Sequence, residues 1–240
     1  MCTDNCTPLL SVKKPEESIK TPQGGYCDKE YYYQIFIQKD FASNEENNID
    51  RIVKTEIATG RVVMTSPPLA LNHANDMTYN ARIDKFIVCH NNPNRHLISF
   101  LDPETLTVTD TLSLPCLIFS IDYNEDRNMY VVGLAGGQSF RFLDKNFRFA
   151  DDTVHLPTEI TKGYITQGVG CDNRYIYFVL FRQNVITVYD WDGNFVTVFD
   201  AHVNGHEPEN ISIADGTVYV GSGGGDGSIL WEILPPEGLM

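Results

Sequence analysis

The chain has 240 residues, 42% of them hydrophobic and 11% aromatic, which is enough for a packed core and excludes a disordered polypeptide. Acidic residues outnumber basic ones by 32 to 18, so the net charge of −14 repels a phosphate backbone and excludes nucleic acid as the expected partner. No apolar run approaches the ~20 residues that cross a bilayer, and the first residues form neither a basic nor an apolar leader, so a cytoplasmic protein away from membranes is expected.

The chain opens with Met1-Cys-Thr-Asp-Asn-Cys6, followed by an isolated strand pattern, Leu9-Leu-Ser-Val-Lys13. A phrase then begins that returns along the whole sequence. Gln23-Gly-Gly-Tyr-Cys27-Asp28 leads into the aromatic run Tyr31–Ile37. A third strand follows at Arg51–Ile57, then an Ala58-Thr-Gly60 turn and a fourth strand at Arg61–Met64. Asn75-Asp-Met-Thr-Tyr79-Asn80 leads into Lys85–Cys89, and Phe119-Ser-Ile-Asp-Tyr123-Asn124 into Met129–Val132. Gln167-Gly-Val-Gly-Cys171-Asp172 leads into Tyr175–Phe181, and Glu209-Asn-Ile-Ser-Ile213 into Thr217–Val220. The starts at 23, 75, 119, 167 and 209 are spaced by 52, 44, 48 and 42 residues. Four strands per roughly 40–50 residues is the unit of a β-propeller blade, which must stack on its neighbours to cover its faces.

The pattern predicts an all-β, five-bladed propeller of four-stranded antiparallel sheets. It forms a single domain with blades at about 21–68, 69–114, 115–160, 161–204 and 205–234. The fifth copy ends at Pro235-Pro236 without a fourth strand, so the segment at about 8–14 is expected to supply it and join the chain ends.

In such a ring the residues that open each first strand gather at one mouth of the central channel: Gln23, Asn75, Phe119, Gln167 and Glu209. The connections and neighbours add His73, Asp76, His206 and Glu207. Convergent polar groups at a concave opening are the expected binding site, for a small polar ligand or for a peptide or protein partner. The same amides also read as a plug bonded to neighbouring backbone. Glu209 is the one acid at the ring position, and Glu207 or Asp76 would raise its pKa.

Other features read as structure. Cys27 and Cys171 share a position held elsewhere by Tyr79, Tyr123 and Ile213, which marks packing rather than a reactive thiol. Asp28, Asn80, Asn124 and Asp172 share the next position, where Asx residues start tight turns. Gly221–Gly227 reads as a strand-connecting loop, His90–His96 as a polar loop, and residues 38–50 as a long loop that could cover a ligand. Neither Cys2 with Cys6 nor His90 with His96 has the spacing and further ligands of a metal site, so no metal or cofactor is expected. The chain is expected to be a monomer.

Thr21-Pro-Gln23-Gly24 and Thr166-Gln167-Gly168, each before a short strand, resemble the blade openings of five-bladed propellers of the plant and bacterial glutaminyl cyclase type. Ile52–Val63, with its Thr59-Gly60 turn, is similar to that family's third strand. The resemblance implies conversion of N-terminal glutamine to pyroglutamate, with a glutamate shuttling protons at the channel mouth. The second blade here opens with Asn75-Asp76 where that family tends to show Glu-Gly, and Glu209 is the acid left for the role. Two functions follow: a non-catalytic recognition propeller, and a glutaminyl-cyclase-like acyltransferase using Glu209 as general acid and base.

Overall fold

A computed structural model describes residues 5–38, 49–224 and 227–239. Its strands group into five four-stranded antiparallel sheets. Blade one holds β2 (Ile19–Cys27), β3 (Tyr31–Gln38), β4 (Asp50–Glu56) and β5 (Val62–Thr65). Blade two holds β6 (Asp76–Asn80), β7 (Lys85–Cys89), β8 (Leu97–Leu101) and β9 (Val108–Ser113). Blade three holds β10 (Ile118–Asn124), β11 (Met129–Leu134), β12 (Ser139–Asp144) and the two-residue β13 (Val154–His155). Blade four holds β14 (Thr166–Cys171), β15 (Tyr175–Leu180), β16 (Val185–Asp190) and β17 (Phe195–Asp200). Blade five holds β18 (Glu207–Ala214), β19 (Thr217–Gly224), β20 (Gly227–Ile233) and, as its outer strand, β1 (Cys6–Lys13).

The innermost strands close a ring: β2 lies beside β6, β6 beside β10, β10 beside β14, β14 beside β18, and β18 beside β2. Burial follows from this stacking. The second strands are covered on both faces, so Tyr31–Gln38 and Tyr175–Leu180 are near-continuous aromatic and β-branched runs. The outer strands splay away with the sheet twist, and every residue of β9 is exposed. One buried cluster fills each interface between blades. Ile35, Ile52, Met77 and Val88 join blades one and two, and Val179, Val188, Ile211 and Trp231 join blades four and five.

Closure is antiparallel pairing of β1 with β20, from Cys6 opposite Ile233 to Lys13 opposite Gly227. Leu10 and Val12 enter the cluster that joins blade five to blade one, with Ile19, Tyr32 and Phe36. The Asx turns occur as expected: Asp28 Oδ1 accepts from the N–H of Glu30 and Tyr31, and Asp172 Oδ1 from that of Arg174 and Tyr175. Cys27 and Cys171 are buried, and burial pushes both thiols up.

Two features differ from the sequence reading. Gly221–Gly224 belong to β19 rather than to a loop, with Gly221 opposite Leu230. A Cβ on Gly221 would fall on the Tyr32 hydroxyl and the Asn210 amide, so glycine there serves close approach. Blade three ends in a short outer strand followed by a one-turn helix, α1 (Thr158–Thr161). Cys2, the loop residues Asp40, Glu45 and Glu46, and Gly225 with Asp226 lie outside the described residues. No helix among the described residues is long and apolar enough to cross a membrane.

Candidate functional site at the channel mouth

Because the five inner strands run the same way around the hub, their first residues share one mouth. The ladder to the second strand is irregular there in four blades, with register shifts at Pro22/Gly25, Ile118/Ser120, Thr166/Gly168 and Pro208/Asn210. Gln23, Phe119, Gln167 and Glu209 are therefore bulge residues, freed from the ladder and re-aimed. A repeated bulge is a tertiary feature, and no residue type announces it in the sequence.

On the side of blades one to three, the mouth is built of amides, a histidine and an arginine. His73 Nε2 and Gln23 Oε1 lie 2.9 Å apart, so the ring nitrogen donates to the amide oxygen. Burial, and then the nearby Arg95 charge, lower the pKa of His73 from its ordinary 6.5 to about 4, so it is neutral at physiological pH. His73 and Asn72 lie in the left-handed region, with φ of 60° and 54°. That curl wraps a carboxyl: Asp50, fully buried, accepts from Leu71 N–H at 3.1 Å, and the N–H groups of His73 and Ala74 face it. Asp50 thus positions the segment that carries His73 and Asn75. Asn91 Nδ2 donates to Asn75 Oδ1 at 3.1 Å, and Arg95 Nε to Asn91 Oδ1 at 2.7 Å. This holds the guanidinium 5.5 Å from the centre of the Phe119 ring. The polar loop Asn91–Arg95 therefore belongs to the mouth.

On the side of blades four and five the mouth is acidic. Gln167 Nε2 donates to Glu207 Oε1 at 3.0 Å. Arg182, His206 and Glu207 line a cleft of about 350 Å³ between these blades. Glu209 is only 6% exposed, and its carboxyl takes no hydrogen bond or ion pair from the described residues. Burial first, and then Glu207, push its pKa well above the ordinary 4.5.

Asp76 lies deeper than the mouth. Its carboxyl is fully buried in the hub, where Met77, Ile121 and Val169 N–H donate to it at 3.0, 3.2 and 3.3 Å. One level down, Asp122 accepts from Thr78 Oγ1 at 2.6 Å and from Cys171 N–H at 2.7 Å. These carboxyls satisfy the free edges of inner strands, whose N–H groups face the channel. Gln34 and Asn210, which the sequence reading did not single out, hold the blade-one bulge by donating to Gln23 O at 2.9 and 3.1 Å. A lone glutamine inside the apolar run Tyr31–Ile37 was the available signal.

No protein-family model matches the sequence, and no curated protein does. Among solved structures, the fold is similar to Myxococcus xanthus glutaminyl cyclase: 12% identity over 95% of this chain and 100% of that chain, with a TM-score of 0.62. It is also similar, more loosely, to the β-propeller domain of Cps50 (Swd1) from Myceliophteria thermophila, at 8% identity over 96% of this chain and 100% of that chain, TM-score 0.49. The resemblance to the glutaminyl cyclase is one of architecture.

Proposed function

We propose that the protein is a recognition propeller that holds a small polar ligand, or the amino end of a peptide, at the channel mouth. The observation that carries this reading is Glu209, an acceptor nine-tenths buried that no described residue satisfies. Burial disfavours the charged carboxyl of Glu209, and a bound N–H donor would offset that penalty. Arg95, whose terminal nitrogens have no hydrogen-bond partner among the described residues, stands on the opposite side of the same mouth. An amino group toward Glu209 and Glu207, with a carbonyl or carboxylate toward Arg95, matches the charge order of the two sides.

Calorimetric titration with glutamine, glutaminyl dipeptides and their N-acetylated forms tests this. Binding of the free amines, lost on acetylation and weakened about tenfold or more by Glu209→Gln, is expected. Equal binding of acetylated and free forms, or no binding by any of them, removes Glu209 as the acceptor.

The second reading is acid–base catalysis by Glu209 in a glutaminyl-cyclase-like reaction. A carboxyl with a raised pKa favours it, because a proton shuttle needs a pKa near the working pH. In that reaction the α-amine attacks the side-chain amide carbon and ammonia leaves. The proton lost by the amine reaches the leaving nitrogen through the carboxyl. Ammonia release from a Gln-initiated peptide, abolished by Glu209→Gln, would replace recognition by catalysis.

A further inference from the structure

A cleft of about 930 Å³ opens at the other mouth of the channel, between the lower ends of blades one and two, and reaches Asp215 of blade five. Tyr26, Tyr31, Tyr33, Tyr79 and Phe86 line it. Tyr33 and Phe86 are nearly fully buried, with ring centres 4.6 Å apart, while Tyr26, Tyr31 and Tyr79 are half-buried. These five rings form one connected set, with Tyr26 against Tyr33, Tyr79 and Phe86 at 6.2, 6.3 and 5.7 Å. Tyrosine faces left open in a cleft carry negative potential and attract cations.

The structure places an ammonium there already. Lys54 Nζ stands 4.1 Å from the Tyr31 ring centre and 5.2 Å from that of Tyr33. Four carboxylates, those of Asp28, Glu30, Glu104 and Asp215, line the same cleft. The remaining cation, Lys29, is paired with Asp215. The cleft is thus net negative even with both lysines in place, and its volume suits a ligand of small-molecule size.

We propose that this cleft binds a small organic ammonium compound, with Lys54 as the internal cation that such a ligand meets at the Tyr31 face. The site is independent of the Glu209 mouth. Choline is a suitable probe, and its uncharged carbon isostere, 3,3-dimethylbutan-1-ol, reports what shape and apolar surface contribute alone.

Titration followed by ligand-observed NMR should show saturable choline binding, with the alcohol at least about fivefold weaker. Tyr31→Ala should weaken choline by a similar factor. Lys54→Met, which removes the competing charge and keeps the chain length, should strengthen it severalfold. Tyr31 and Lys54 are half-buried, and unchanged melting curves establish that both variants are folded. Equal binding of choline and the alcohol would make the cleft merely apolar and overturn the proposal. So would weaker choline binding by Lys54→Met, or no saturable choline binding by wild type and Lys54→Met alike. A lysine-containing peptide that bound where choline did not would assign the cleft to a protein partner instead.

Discussion

The Asp76 carboxyl of blade two accepts the Val169 N–H of blade four at 3.3 Å, reaching past blade three to its second neighbour in the ring. The same oxygen accepts Ile121 N–H at 3.2 Å from the blade between them. One side chain therefore ties three of the five inner strands at the hub. Glycine also lets neighbouring inner strands close in around the hub: a Cβ on Gly24 would fall 2.5 Å from the Asp76 Cα, and one on Gly168 would fall 2.9 Å from the Asn210 Cα.

Asp76→Ala should consequently destabilise the fold by about 2 kcal/mol or more, because at least two buried N–H groups lose their acceptor. Urea denaturation at neutral pH measures this. A loss below about 0.5 kcal/mol would mean that water replaces the carboxyl without cost.

Truncation of residues 1–13 tests the closure. It strips the outer strand from β20 and removes Leu10 and Val12 from the cluster between blades five and one. Losing two buried aliphatic side chains and a ladder of hydrogen bonds is expected to cost more than about 4 kcal/mol, equivalent to a fall in Tm of roughly 10 °C or more for a chain of this size. Thermal unfolding checks the value, and light scattering should show self-association through the bared edge. An unchanged Tm would mean that blade five is stable with three strands.

The blade pattern was legible because the second strands are covered on both faces and must be apolar, while the turns need Asx residues at one offset. The closing strand was legible because the fifth copy ran out. The arrangement of the mouth was less so. Asn75 and Asp76 are adjacent, yet Asn75 bonds Asn91 at the rim and Asp76 fills the hub. The β6 ladder has no bulge and begins at Asp76, with Asn75 just before it. Alternation sends the two neighbours to opposite sides, and which one faces the channel depends on where the strand starts. Asp50 carried no signal, because its role is to meet N–H groups some twenty residues on, through a curl made by Asn72 and His73. The lower cleft escaped notice for a similar reason. Tyr26, Tyr31 and Tyr79 read as ordinary strand aromatics, and only the docking of blades one and two brings them together.

His90 gives a pH signature. It is 3% exposed, its Nε2 lies 2.8 Å from Ser99 Oγ, and burial, followed by the His96 charge, lowers its pKa from 6.5 to about 4. A lowered pKa means that the unfolded chain binds the proton first as pH falls. Stability from this residue is complete above about pH 6.5 and is lost progressively down to about pH 4, on the order of 3 kcal/mol in all. His90→Gln removes that dependence. Urea unfolding of both proteins across this range should show the wild type losing ground to the variant as the solution is acidified. A difference that does not change with pH would mean that His90 titrates normally.

Glu209 runs the opposite way. Its pKa is raised, so the folded protein keeps a proton that the unfolded chain releases above its ordinary value of about 4.5. Folding stability contributed by this residue is therefore full below that value and declines as pH rises toward the raised folded pKa. Glu209→Gln, which cannot ionise, should be as stable as wild type at about pH 4 and more stable at about pH 8, by roughly 1–3 kcal/mol, the usual desolvation penalty of a polar group. Thermal melts of both proteins at the two pH values measure the difference. A ligand that donates to Glu209 reverses the relation: it raises the Tm of wild type near neutrality and leaves the Gln variant nearly unmoved. If Glu209→Gln instead destabilises the protein at both pH values, a donor outside the described residues is holding the carboxyl. The mouth then has no unmet demand for a ligand.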